Sequence, residues 1–268
     1  MNSLPFDSRK ATALFLRDLR TDISYRLSFL IEAANVLVTV ASFYFFSTTL
    51  SGHLSGSYQP FPFLLLGLAV NSYLITALYC FAQGIRGSHS PGLIKAVLGA
   101  PISPGEFLLY SSLYPVFRAG LDGMLYLAGG VMLGLRLERI NFVAVALFFA
   151  LAVAAHAGIG MVSAAFTVLF KKGDPLIWLM GGLSWLMGGV FYLLDVLPLW
   201  MQRVAAILPL SHALKGTRAA VLDGASISQL IPEIGALGLF SLVSLPVGVT
   251  VFRAAVRRAR ETGALGHS

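Results

Sequence analysis

Apolar residues come in blocks of about 19 to 30, set apart by short stretches where glycine, proline, serine and charged side chains collect. Blocks of that length, without the two-residue alternation of a half-buried strand, suit helices that cross a hydrocarbon core of roughly 30 Å. The pattern predicts spans at about 27–50, 61–83, 106–135, 142–170, 176–194 and 234–252. Residues 8–24 follow a different rule. On a helical wheel Phe15, Leu16, Leu19 and Ile23 share one arc, and Arg9, Lys10, Arg17 and Arg20 the next. This predicts an amphipathic interface helix lying among lipid headgroups, basic side to the phosphates; a solvated helix packed on a partner domain is the alternative. Asp18 and Asp22, one turn apart, are expected to be solvated, with a basic partner as the alternative.

The pattern breaks after the fifth block. Within two dozen residues follow Asp195, Pro198, Trp200, Arg203, Pro209, Lys215 and Arg218, yet large apolar side chains continue. A spanning helix cannot carry two prolines and so many charges. The segment 195–232 therefore reads as an external re-entrant helical hairpin, its backbone satisfied by protein or a wet cavity. Gly224 is the expected helix stop.

Polar residues inside the blocks are few. Glu32 and Asn35 sit near the edge of the first, where snorkelling or pairing with Arg26 is the expected role of the carboxylate. Arg118 and Asp122 lie one turn apart near the middle of the third, within reach of an intrahelical ion pair. They read equally as the lining of a path and as a self-neutralising structural pair. Gly130 and Gly134 form a GxxxG, and Gly181, Gly182, Gly188 and Gly189 mark a smooth face for helix packing. His156, alone in an apolar block, reads as a hydrogen-bonded core residue.

Composition agrees: 57% of the residues are hydrophobic and 12% charged, and mean hydropathy is +0.80. This is an all-α polytopic membrane protein, organised as one transmembrane domain over 1–268. The net charge of +7 is no nucleic-acid patch, because the basic residues sit in short segments between spans. Thirteen lysines and arginines fall on the side of the N-terminus and five on the other, with Arg118 inside a span. Both termini are thus predicted to be cytoplasmic, in the cell membrane. Cys80 is the only cysteine, which excludes an intrachain disulfide and a thiolate metal site. The charged N-terminus does not read as a cleavable signal peptide.

Neither a phosphate-binding GxxxxGK[ST] loop, nor HExxH, nor a GxSxG elbow occurs, and the five histidines are scattered. No catalytic, cofactor or metal residue is assigned. A stand-alone secondary transporter or channel would show coupling-ion carboxylates in broken helices and internal repeats; no repeat is evident. A lipid-modifying enzyme lacks its acidic or histidine cluster.

The segment GGVFYLLDVLPLWMQRVAAILPLSHALKGTRAAVLDG, 188–224, resembles the permease subunits of type-2 ATP-binding-cassette exporters. Gly189, Val190, Phe191, Leu194, Asp195, Pro198, Pro209, Leu210, His212, Arg218 and Gly224 fall on that family's pattern, with Leu193 where proline is usual and Ser211 where threonine is. The run from Gly92 to Ser103, GLIKAVLGAPIS, is similar to the family's cytoplasmic coupling helix, with Lys95 in place of glutamate. Within that family the sequence resembles the drug and nodulation-factor exporters.

The resemblance implies a permease, paired with a second copy as a homodimer, embedded in membrane lipid. Two cytoplasmic ATPase subunits, carrying the ATP and magnesium, would dock on the helix at 88–99 through Leu93, Ile94, Lys95 and Leu98. The hairpin, with Asp195, Pro198, Pro209, His212 and Arg218, would form the external gate.

Overall fold

The computed structural model describes residues 7–51, 60–88, 104–170 and 175–261. Among these the chain is helical, with no strand. The long elements are α1 (Ser8–Ser24), α2 (Arg26–Ser51), α3 (Pro60–Ser88), α4 (Pro104–Met132), α5 (Phe142–Phe170) and α6 (Pro175–Met187). Short helices α7 (Leu199–Ala205) and α8 (Pro209–Arg218) follow, then α9 (Ile231–Glu261). The coupling helix expected at 88–99 lies, beyond Ser88, outside the described residues.

Helix α3 is the axis of the bundle. Its most apolar window is 78% buried, against 11% for α2. A central helix meets protein on every side, so a charge on it would have neither water nor headgroups to reach; the charge-free stretch from Phe61 to Phe81 answers that constraint. α5 packs between α3 and α9. Small residues on α5 let α9 come close: a side chain at Gly158 would collide with the Ser244 backbone, and one at Gly248 with the Gly158 carbonyl. Ser241 Oγ donates to Leu151 O at 2.9 Å and Ser244 Oγ to Ala155 O at 3.1 Å, bonding the same pair across the contact. His156 is buried, its Nδ1 donating to Ala152 O at 2.7 Å, a core histidine.

Among the described residues four stretches are long and apolar enough to cross a membrane: Arg26–Thr49, Pro60–Phe81, Phe142–Phe170 and Ile227–Ala259. The two other predicted spans fall outside that group for different reasons. α4 has the length but interleaves serines, tyrosines, Arg118 and Asp122. α6 is simply short: its 13 residues extend about 20 Å, well under the hydrocarbon thickness. The helix predicted to run to 194 stops at Met187, and Gly189 turns the chain with φ +76°, a left-handed conformation that glycine adopts without steric cost.

The glycine pairs differ from expectation as well. Gly134 lies past the end of α4 at φ +98°, so it forms no helical GxxxG with Gly130. A side chain at Gly181 or Gly182 would meet nothing within 4 Å. A tight contact outside these pairs is at Gly216 on α8, where a Cβ would enter the Phe148 ring. Gly216→Ala is therefore expected to cost about 1–3 kcal/mol through overpacking, read as a lower thermal midpoint in detergent. Gly181→Ala, on an open helix face, should leave the midpoint unchanged or slightly raised.

Candidate functional site

Two arginines organise the parts of this molecule that depart from simple apolar helices. On α4, Tyr114, Phe117, Arg118 and Asp122 recur at helical spacing and so share one face. The chain bends at Tyr25, between α1 and α2, and both helices land on that face. From α1, Phe15 packs edge-on against Tyr114 and Phe117, ring centroids 5.6 and 5.4 Å apart. Asp22 accepts a short hydrogen bond from the Tyr114 hydroxyl and lies 3.5 Å from Arg118 Nη1. From α2, Glu32 Oε2 accepts from Arg118 Nη2 at 3.0 Å, and the Phe29 ring centroid lies 4.2 Å from the guanidinium carbon.

Asp122 is the fourth member. Its Oδ1 stands 3.7 Å from Arg118 Nε, an ion-pair distance beyond hydrogen-bond range. Three carboxylates from three helices thus converge on one buried guanidinium, 8% exposed. This revises two expectations. Asp22 is not simply solvated, and Glu32 pairs with Arg118 rather than with Arg26. The attraction is stronger than in water because apolar helices surround it. Chemically the cluster is a joint; among the described residues no group of three His, Cys, Asp or Glu is placed to hold a metal ion.

The second arginine holds the broken segment. After α6 the chain makes a single 3-10 turn at Leu194–Val196, then α7, and α8 re-enters the bundle. Leu210, Ala213 and Leu214 of α8 are buried with Val70 and Leu74 of α3, Phe148 and Ala152 of α5, and Leu237 of α9. At its end Arg218 donates four hydrogen bonds to three backbone carbonyls: Phe63 O (3.2 and 3.0 Å), Gly189 O (2.7 Å) and Val190 O (2.8 Å). Its guanidinium also lies over the Phe63 ring, 3.5 Å from the centroid. Those carbonyls belong to the start of α3 and to the turn where α6 has stopped.

The remaining hairpin residues have modest local roles. Pro198 and Pro209 open α7 and α8, positions where a missing N–H is harmless. His212 Nε2 donates to Ala206 O at 2.9 Å, and Asp195 is exposed, its backbone carbonyl accepting from Gln202 Nε2 at 3.3 Å. Pro209, His212 and Arg218 share α8, while Asp195 stands apart on the 3-10 turn. Leu93, Ile94, Lys95 and Leu98 lie outside the described residues. Sequence reasoning passed over Asn141, which caps α5 through Ala144 N (3.1 Å) and donates through Nδ2 to Ala225 O at 2.9 Å. The signal was there: an asparagine immediately before an apolar helix.

A family model for ABC-2 type transporters matches residues 12–222, from inside α1 to the π-helical turn that follows α8. The chain belongs to the ABC-2 type transporters. It is accordingly a multi-pass membrane protein and the permease subunit of an ABC transporter, a transport component whose family implies an ABC ATPase as partner. No curated protein matches the chain. The family match takes in both arginines and every carboxylate around Arg118.

Removing one member of this cluster tests its asymmetry. Arg118→Gln strands Asp22 and Asp122 in apolar surroundings and is expected to cost about 3–5 kcal/mol, the range for breaking a buried ion pair. Glu32→Gln should cost well under half of that, because the Glu32 side chain is 53% exposed at the edge of the bundle and is not enclosed by it as Arg118 is. Chemical unfolding of the detergent-solubilised permease measures both. Equal losses would show that the joint does not rest on Arg118.

Proposed function

We propose that this permease is the membrane half of an ATP-driven exporter that moves an amphipathic, hydrophobic or lipid-linked compound out of the cytoplasm or the inner leaflet. The observation that carries the reading is the family match over residues 12–222, which makes the chain a route across the bilayer and leaves the fuel to another polypeptide. The apolar walls of the bundle and the scarcity of fixed charge favour a cargo that is itself largely apolar.

In this reading the chain crosses six times, with α4 and the α6 segment joining the four apolar spans, and both ends are cytoplasmic. α6 covers only part of the fifth crossing, which runs over 176–194. Two identical permeases pair, and two ATPase subunits dock on residues 88–99 through Leu93, Ile94, Lys95 and Leu98. α1 lies at the cytoplasmic interface. Closure of the ATPase pair pushes the coupling helix and α1, and the Arg118 cluster passes the displacement of α1 into α2 and α4. α8, clamped by Arg218, serves as the external gate with Asp195, Pro198, Pro209 and His212.

Co-expression with a candidate ABC ATPase supplies the test. The ATPase is expected to co-purify with the permease and to lose that association when Leu93, Lys95 and Leu98 are replaced together by aspartate. In reconstituted vesicles, ATP hydrolysis should rise with candidate amphiphiles. A second arm separates joint from dock: Asp22→Asn should leave the complex intact yet weaken the dependence of hydrolysis on amphiphile. Nucleotide turnover by the permease alone, or termini labelled from opposite faces of the membrane, would overturn the reading.

A further inference from the structure

An apolar groove of about 540 Å³ runs between α5, α9 and the turn that joins α7 to α8. That volume lies in the range of small-molecule sites, about 300–1,000 Å³. On α9 it extends from Ala236 to Val247, twelve residues that span about 17 Å of helix. Ile159 and Val162 of α5 form the opposite wall, and Ile207 overhangs it from the turn. The open side is apolar too: Ile207, Leu239 and Val243 are more than half exposed.

Its two polar side chains, His212 and Ser244, are each bonded to a backbone carbonyl. Ser244 Oγ is spent on Ala155 O and His212 Nε2 on Ala206 O, so the walls offer little to a polar ligand. One end of the groove is different. Lys215 stands one turn beyond His212 on α8, and Glu233 one turn before Ala236 on α9. They pair at 2.7 Å, Glu233 being 8% exposed while the Lys215 side chain is 71% exposed. An ammonium has three donors, and the pairing with Glu233 leaves Lys215 donors facing solvent. The result is a long greasy trough under an accessible cation.

We propose that this groove binds a bilayer amphiphile with one alkyl chain and an anionic phosphate-ester head, the chain along α9 and the head at Lys215. The chain matches the shape and the apolar character of the walls, and the phosphate matches the exposed ammonium of Lys215, whose partner Glu233 is buried behind it. The site rests on the groove and the lysine, and does not depend on export.

The test uses the full-length permease in native-lipid nanodiscs, with dodecyl phosphate carrying a mid-chain diazirine as probe. After illumination, mass spectrometry should place the label on peptides holding Ile159, Phe240 and Val243. Ile207→Trp, a change at an exposed position that fills the groove, should lower that label about tenfold while the background on α2 is unchanged, which also reports a folded protein. Unlabelled dodecyl phosphate should compete better than dodecanol. The double change Lys215→Met with Glu233→Gln, which strands no charge, should abolish that preference and spare dodecanol competition. Label spread equally over Leu30, Val38 and Phe45 of α2, indifference to Ile207→Trp, or equal competition by both amphiphiles in the parent protein would each overturn the proposal. So would cross-linking of the groove to a second copy of the chain with no lipid label.

Discussion

A membrane-spanning chain cannot leave a peptide carbonyl unbonded in hydrocarbon, and this chain breaks a helix inside its bundle. α6 ends at Met187, and the turn that follows exposes the carbonyls of Gly189 and Val190 among apolar side chains. Arg218 supplies the missing donors and collects Phe63 O at the same time. A guanidinium suits this work because its planar fork carries several donors that stay protonated. Once Arg218 is fixed, α8 is held against α3, α5 and α9, and Gly216 must be small so that Phe148 can lie against it. The position of the whole broken segment follows from that one satisfaction of backbone polarity.

The second arginine applies the same chemistry to a different problem. Around Arg118 the partners are carboxylates, and the elements tied together are α1, α2 and α4. A buried guanidinium with a single carboxylate would hold one neighbour. With three it fixes how two helices join a third, since moving α1 separates Asp22 from both Tyr114 and Arg118. Among the contacts described above the two arginines tie together different sets of helices. A displacement at α1 therefore reaches α8 only through the packed helices between them, chiefly α3, which touches α2, α4, α5 and α8.

Much of this was legible in the chain itself. Hydrophobic blocks located the helices, because periodicity and length depend only on local sequence. They placed α5 at 142–170 and singled out residues 188–224 as the segment that breaks the pattern, and two prolines with scattered charges suffice to exclude a continuous helix there. The i, i+4 relation of Arg118 and Asp122 was likewise visible, since a helix fixes it. The end of α6 was less so: Gly188 and Gly189 read as a packing face until the left-handed turn at Gly189 is seen.

Composition and spacing determined that the protein is helical, apolar throughout and broken near its C-terminal third, because those are properties of neighbouring residues. Tertiary structure alone decided which charges meet. Asp22 and Glu32 are 96 and 86 residues from Arg118 and reach it only because the chain folds back at Tyr25 onto α4. The same holds for Arg218 and Phe63, 155 residues apart. No local rule links such positions: a long-range ion pair or a backbone clamp is set by how helices stack, and stacking depends on the shapes of all of them at once.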